Sequence, residues 1–205
     1  LSGSTFKKVY YDDLLGRAVS KFIPAEDLVV PYSATSLEDA EAVIHVIRMS
    51  PNDLRKQQIN GFYRDIDLGE PPVQEDKLKQ KELELEGITS NGTEDVYTIL
   101  EMHVDVDLEG HEDVNPEDGE PTGIKLPYII TIDEANGKVL SIRRNYAPED
   151  PLKNKKDYFV HFKFLPGLGF YGLGLIHMIG GLSRTATVAL RQLLDAGTLA
   201  NLPAG

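Results

Sequence analysis

Val96-Tyr-Thr-Ile-Leu-Glu-Met-His-Val-Asp-Val-Asp-Leu108 reads as one long β-strand. From His103 onward it alternates cleanly. His103, Asp105 and Asp107 fall on one face, and Val104, Val106 and Leu108 on the other, because successive strand side chains point to opposite sides. The chain keeps this β-rich character toward its C-terminus. Gly110–Thr122 is an acidic loop with two prolines, and Gly123–Asp133 is a second strand. Proline cannot donate to a ladder, so Pro127 marks that strand as an edge or bulged one. Glu134–Lys138 carries the Asn136-Gly137 signal of a tight hairpin, with Lys138–Tyr146 as the returning strand. Ala147–Lys155 is a loop, Tyr158–Leu165 another strand, and Pro166–Gly174 a glycine-rich turn. Leu175–Leu194 is the strongest helix in the chain, with Ile176, Ile179, Leu182, Ala186 and Leu193 at helical spacing. Gly197 is its expected stop, with Pro203 beyond.

The first half is less uniform. Phe6–Tyr11 and Val19–Ile23 form a hairpin around Asp12–Gly16, and Leu28–Val30 is a short apolar run ended by Pro31. One helical turn at Ser36–Asp39 precedes a strand through Arg48, since Val43, Ile44, Val46 and Ile47 favour extended backbone. Ser50 caps the next helix, with Pro51 at its first position and Asp53 in its first turn. That helix ends at Gly61. Residues 64–95 form an excursion: Pro71-Pro72 breaks the chain, Gln74–Glu86 is a charged helix with a thin apolar stripe, and Gly87–Asp95 is a polar linker. No internal repeat is present. The fold class is α+β: an antiparallel, β-rich domain with a few short helices and a long C-terminal amphipathic helix. It divides into residues 1–63, 64–95, 96–165 and 166–205.

Composition narrows the function. With 41% apolar and 26% charged residues, the 205-residue chain is globular rather than disordered. It has no cysteine. Disulfides, thiolate metal centres, iron–sulfur clusters and a cysteine nucleophile are therefore excluded. Twenty-one basic against 33 acidic residues give −12. Such a chain does not hold DNA through a broad basic footprint, but it could enclose DNA without adhering to it. The longest weakly polar run, Leu168–Leu182, has 15 residues, short of the roughly 20 a membrane span needs. No secretory leader opens the chain. The expectation is a soluble, non-secreted protein. The chain starts at Leu1 and stops just after a strong helix, which reads as the middle of a longer protein.

Candidate sites are few. Gly167, Gly169 and Gly172 spell G-x-G-x-x-G between a strand and a helix, the context of a dinucleotide site. The preceding strand alternates in polarity, and no second parallel strand or ribose-binding acid follows, so a bent connection or hinge at Gly167, Gly169, Gly172 and Gly174 is the better reading. Asp105–Asp113 matches a calcium loop until Pro116 stands where the bidentate Glu belongs. His45, His103, His111, His161 and His177 are scattered without metal-ligand spacing, and no Gly-x-Ser-x-Gly elbow or Walker A sequence exists. Asn91-Gly-Thr93 matches a glycosylation sequon, meaningless without secretion. On the last helix His177, Arg184 and Arg191 recur every seven residues, with Thr187 nearby. They form a polar stripe for solvent, for an acidic neighbouring subunit or for a phosphate backbone. Gly180-Gly181 implies a bend there or close packing on another backbone.

Five stretches together resemble the portal proteins of tailed bacteriophages. They are Phe22-Ile-Pro-Ala-Glu-Asp-Leu-Val-Val-Pro-Tyr32; Ala42-Val-Ile-His-Val-Ile-Arg-Met-Ser50 followed by Asn52-Asp-Leu-Arg55; Tyr97-Thr-Ile-Leu-Glu-Met-His103; Tyr158-Phe-Val-His-Phe-Lys-Phe-Leu-Pro-Gly-Leu-Gly-Phe-Tyr-Gly-Leu-Gly-Leu-Ile-His177; and Asp195-Ala-Gly-Thr-Leu-Ala-Asn-Leu-Pro203. They bracket nearly the whole chain, and none is a catalytic motif. The resemblance implies a structural subunit, not an enzyme, with no cofactor and no metal. It implies a ring of identical subunits, usually twelve, at a capsid vertex of the virion, assembled in the host bacterial cytoplasm. Double-stranded DNA passes through the ring. Terminase, capsid and head–tail adaptor proteins are the implied partners, and a membrane is not. The chain would be mostly the β-rich wing, with the last helix leading toward the stem; clip, crown and tunnel loop are absent from it. His177, Arg184, Thr187 and Arg191 are the candidate subunit or channel contacts. The alternatives are a head–tail adaptor or other binding module, and a nucleotide-binding enzyme at Gly167–Gly174.

Overall fold

The computed structural model describes residues 3–12, 15–71, 96–115 and 118–200. The chain forms two units, one of Glu26–Ala34 and Glu38–Asp157, the other of Leu1–Ala25, Thr35–Leu37 and Tyr158–Gly205. Each contains one antiparallel sheet, and the fold is α+β.

The larger unit is built on β3 (Leu28–Val29), β4 (Ala42–Met49), β5 (Tyr97–Val106), β6 (Leu126–Asp133) and β7 (Val139–Arg144), paired in that order. β5 lies at the centre, with one face buried and the other largely half-buried. Tyr97, Ile99, Glu101 and His103 share one buried face. Helix α1 (Pro51–Ile59) and the residues after it bring Leu54, Tyr63 and Leu68 against Tyr97, Ile99 and Leu140 there. On the opposite face Leu126, Tyr128 and Tyr146 gather with Leu108 and Ile130. Ile99 and Leu140 are fully buried, each contributing about 1.5–3 kcal/mol by leaving water. Where the alternation is cleanest, beyond His103, Asp105 and Asp107 are exposed and Val104, Val106 and Leu108 half-buried, so the packed part of β5 is Tyr97–His103.

Local chemistry fixes α1 as the sequence implied. The Ser50 Oγ accepts from the Asp53 amide (3.2 Å) and donates to the Asp53 carboxylate (2.9 Å). Gly61 ends the helix at φ +73°, a conformation that disfavours any side chain. The chain then runs along the sheet. Arg64 N donates to Leu140 O (2.9 Å), Asn136 Nδ2 to Leu68 O (2.8 Å), and the Tyr97 hydroxyl to Gly69 O. Residues 64–69 are thus stitched to the sheet. The Gln74–Glu86 helix, the linker after it and the Asn91 sequon lie outside the described residues.

Three local expectations are corrected. β6 is not an edge strand: it pairs with β5 on one side and β7 on the other. Pro127 is tolerated because it is only the second residue of the strand, where the ladder is just beginning; its carbonyl still accepts from Asn145 N (2.9 Å). The register irregularity falls at Thr131/Ile132 instead. Ser36–Asp39 makes bends, not a helical turn. The last helix, α2 (Leu175–Ala200), runs through Gly197. An interior glycine costs only about 1 kcal/mol, and Thr198 Oγ1 ties back to Leu194 O (2.8 Å).

The smaller unit has the order β2 (Arg17–Ile23), β1 (Ser4–Asp12), β8 (Phe159–Lys163). β1 and β2 are the expected hairpin. β8 arrives from the other end of the chain and pairs Ser4 with Lys163 and Lys8 with Phe159. Phe6 and Ile23 are buried on the inner face of this sheet. Among the described residues no helix is long and apolar enough to cross a membrane.

Candidate functional site

The glycine turn is a clasp on the inner face of the three-stranded sheet. Leu173 N donates to Leu165 O (2.7 Å), closing the loop between them. From this loop Phe170 reaches down, stacked 4.9 Å from His161 and 5.9 Å from Phe6, with Tyr171 edge-on to Phe170 at 5.1 Å. Gly172 N donates to Ser4 Oγ (2.8 Å), which also meets His161 Nε2 at 2.9 Å. Gly172 has to be glycine: a Cβ there would sit 2.6 Å from Gly3 O. None of Gly167, Gly169, Gly172 and Gly174 has a positive φ, so close backbone approach at Gly172, not a left-handed turn, is what the glycines provide. The base of the turn is pinned. Its apex is open: Leu168 is fully exposed, a Cβ at Gly169 would meet nothing within 4 Å, and the Lys163 ammonium reaches the Gly169 carbonyl (3.5 Å). Burial and the nearby Lys163 charge hold the His161 pKa below its ordinary value.

This geometry bears on nucleotide binding. A phosphate cradle needs free amides at a helix start. Here the amides of Gly172, Leu173 and Gly174 all donate within the chain, the last to His177 Nδ1 (3.1 Å). Among the described residues all strand pairs are antiparallel, so the parallel unit that such a site needs does not form there.

Helix α2 carries the other expected residues. Seven residues span 700°, 20° short of two turns, so His177, Arg184 and Arg191 lie within a narrow stripe. The structure separates their roles. His177 closes the helix's own first turn through Gly174. Thr187 returns its hydroxyl to Ser183 O (2.9 Å). Arg184 and Arg191 are exposed. So are the apolar positions: Ile176, Leu182, Leu190 and Leu193 are all more than 60% exposed. The 26-residue helix thus leaves an apolar stripe in solvent, a feature that in general marks interaction sites. Gly180 and Gly181 meet no other backbone within 4 Å.

Two features escaped the sequence reading. The first is a polar row beneath Tyr63 in the five-stranded sheet. His45, Glu101, Thr131 and Ser141 stand opposite one another on successive strands, and all four are buried. His103 Nε2 lies 2.8 Å from Glu101 Oε1. Burial, then the Glu101 charge, push the Tyr63 hydroxyl up to about 12, against the opposing Arg143; that guanidinium sits 4.0 Å over the Phe62 ring. The signal lay in Glu101 and His103, two residues apart on the face that Tyr97 and Ile99 bury. The second feature is the outer face of the three-stranded sheet. It leaves Val9, Tyr11, Phe22, Val160 and Phe162 between 42% and 63% exposed. The alternation of β1 hid it, because both its faces carry aromatic residues and lysines. The calcium-like run divides between β5 and the loop after it. Among the described residues no group of three or more side chains could hold a metal ion; Asp113 is engaged by Thr122 Oγ1 (2.7 Å) and by Lys153.

No protein-family model matches the chain, and no curated protein matches it in sequence.

Proposed function

We propose that this chain is the wing-containing part of a phage portal subunit, a structural, non-catalytic protein whose copies close into a ring that passes double-stranded DNA. The observation that carries the reading is α2: a long helix with its apolar stripe in solvent, entered through a glycine turn anchored on the sheet. Such a stripe is satisfied by identical neighbours, and repeated head-to-tail contacts close a ring. The word pattern Tyr158–His177 supports the same reading, as does the charge of −12, which resists clinging to DNA. In this reading Arg184 and Arg191 face a neighbouring subunit or the channel. Terminase, capsid and head–tail adaptor proteins are the partners, and the virion is the location.

The test is native mass spectrometry with negative-stain imaging of the natural full-length protein. Rings of about a dozen subunits with a central hole are expected. A monodisperse monomer or dimer would overturn the portal reading and leave a head–tail adaptor or other binding module.

A further inference from the structure

Charge is divided very unevenly between the two units. The smaller holds seven basic and three acidic residues, a net +4, and the larger 14 and 30, a net −16. The smaller unit also carries the exposed apolar sheet face. Across it Phe22, Lys7 and Val160 stand in one row, and the Lys7 ammonium sits 5.7 Å over the Phe162 ring. It is an apolar patch with a cation at its centre.

The larger unit holds the complement. From Asp105 to Glu120 the described residues include seven carboxylates and no lysine or arginine. Beside this run lies a cleft of about 740 Å³ with Val114, Ile124 and Leu152 in its lining; Lys153 there is paired with Asp113, which among the described residues leaves Asp118 and Glu120 against Lys125 alone. Val114, Ile124 and Leu152 are 52%, 57% and 80% exposed. Apolar rim and carboxylates here match apolar face and lysine there. Because each surface occurs once per chain, joining them between copies is a heterologous contact that propagates.

We propose that the outer face of the three-stranded sheet docks on the acidic cleft of a second copy of this chain. Phe22, Val160 and Phe162 meet Val114, Ile124 and Leu152, and Lys7 faces Asp118 and Glu120. Apolar burial supplies the attraction, and the charges select register and partner. The contact rests on the head-to-tail assembly proposed above and names the surfaces that make it.

The experiment is sedimentation velocity of the full chain over a concentration series, with cross-linking of a mixture of isotopically light and heavy copies. The unaltered chain self-associates, and its cross-links join light to heavy. Lys7→Glu and Glu120→Lys each weaken association about tenfold or more. Mixing the two variants restores it, because the intact face of one meets the intact cleft of the other. Both positions are exposed, and Val160→Ser tests the apolar half should Lys7→Glu misfold. A chain that stays monomeric, a Lys7→Glu copy that associates normally, a mixture that is not restored, or cross-links confined to single copies would overturn the proposal. So would a face that binds single-stranded oligo(dT) through Lys7 and plays no part in self-association. Imaging of full-length protein separates the two readings. Rings that persist with Lys7→Glu remove this contact and leave the portal reading. Chains that associate through this contact without closing into rings keep it and remove the portal reading.

Discussion

The five-stranded and three-stranded sheets solve opposite problems. The first buries one face, half-buries the other, and encloses polar groups: Glu101, His103, Thr131 and Asp133 are all at most 5% exposed. The second is covered on one face by Phe170 and the glycine turn, and leaves aromatic side chains in solvent on the other. Glu101 pairs with His103 and Asp133 accepts from Asn136 N; separating such buried pairs is costly, which commits the larger sheet to its own arrangement. The smaller leaves that apolar area exposed. The charges follow the same division.

The sharpest way to break this contrast is a pair of phenylalanines in the smaller sheet. Phe6→Ala, on the inner face at 0% exposure, is expected to cost about 3–5 kcal/mol. Phe162→Ala, on the outer face, is expected to cost under about 1 kcal/mol. Denaturant unfolding of both variants checks this, and equal losses would mean that the outer face is covered within the chain.

Alkaline unfolding reports on the larger unit. The Tyr63 pKa is raised from 10.0 to about 12 in the folded state. The proton is therefore held more tightly folded than unfolded, and the stability it confers is intact below pH 10 and lost as pH rises toward 12. At 1.36 kcal/mol per unit that loss is about 2–3 kcal/mol. Tyr63→Phe removes this component of the pH dependence. A stability–pH curve unchanged by the substitution would contradict it.

The glycine turn offers a smaller contrast within one loop. Gly172→Ala drives a Cβ into Gly3 O and is expected to cost about 1–3 kcal/mol. Gly169→Ala meets nothing within 4 Å and changes stability by less than about 0.5 kcal/mol. Thermal melts distinguish a pinned turn from a loose one. The smallest effect expected is acid sensitivity of the smaller unit. His161, held neutral by burial and by Lys163, must take up a proton on unfolding in acid. Stability is full above the ordinary histidine pKa and falls as pH drops through it. Protection factors of the β1 and β8 amides, taken relative to intrinsic exchange at each pH, should therefore fall below about pH 6.5, and His161→Gln should abolish the change.

Local signals carried much of the fold. Ser50-Pro-Asn-Asp53 and Asn136-Gly137 each act within a few residues, and both were legible. Pro127 was misread because a missing donor is harmless at a strand's start, and sequence does not say where a strand starts. Gly197 was misread because one glycine in a long helix costs little. The pairing of β1 with β8 joins segments far apart in the chain, which no periodicity reveals. For the same reason the clasp of Ser4, His161, Phe170 and Gly172 was invisible, although its glycines were singled out. The helix stripe was legible as spacing, while the self-capping of His177 was not.

The late arrival of β8 has a consequence for biosynthesis. The β1–β2 hairpin leaves the ribosome first, and its third strand follows some 140 residues later. At roughly 5–20 residues per second the hairpin waits on the order of ten seconds. Throughout that interval both its faces and its open edge are unprotected against aggregation. Lys7, Lys8, Arg17 and Lys21 stand on that hairpin, and charged side chains on an open strand disfavour pairing with another chain.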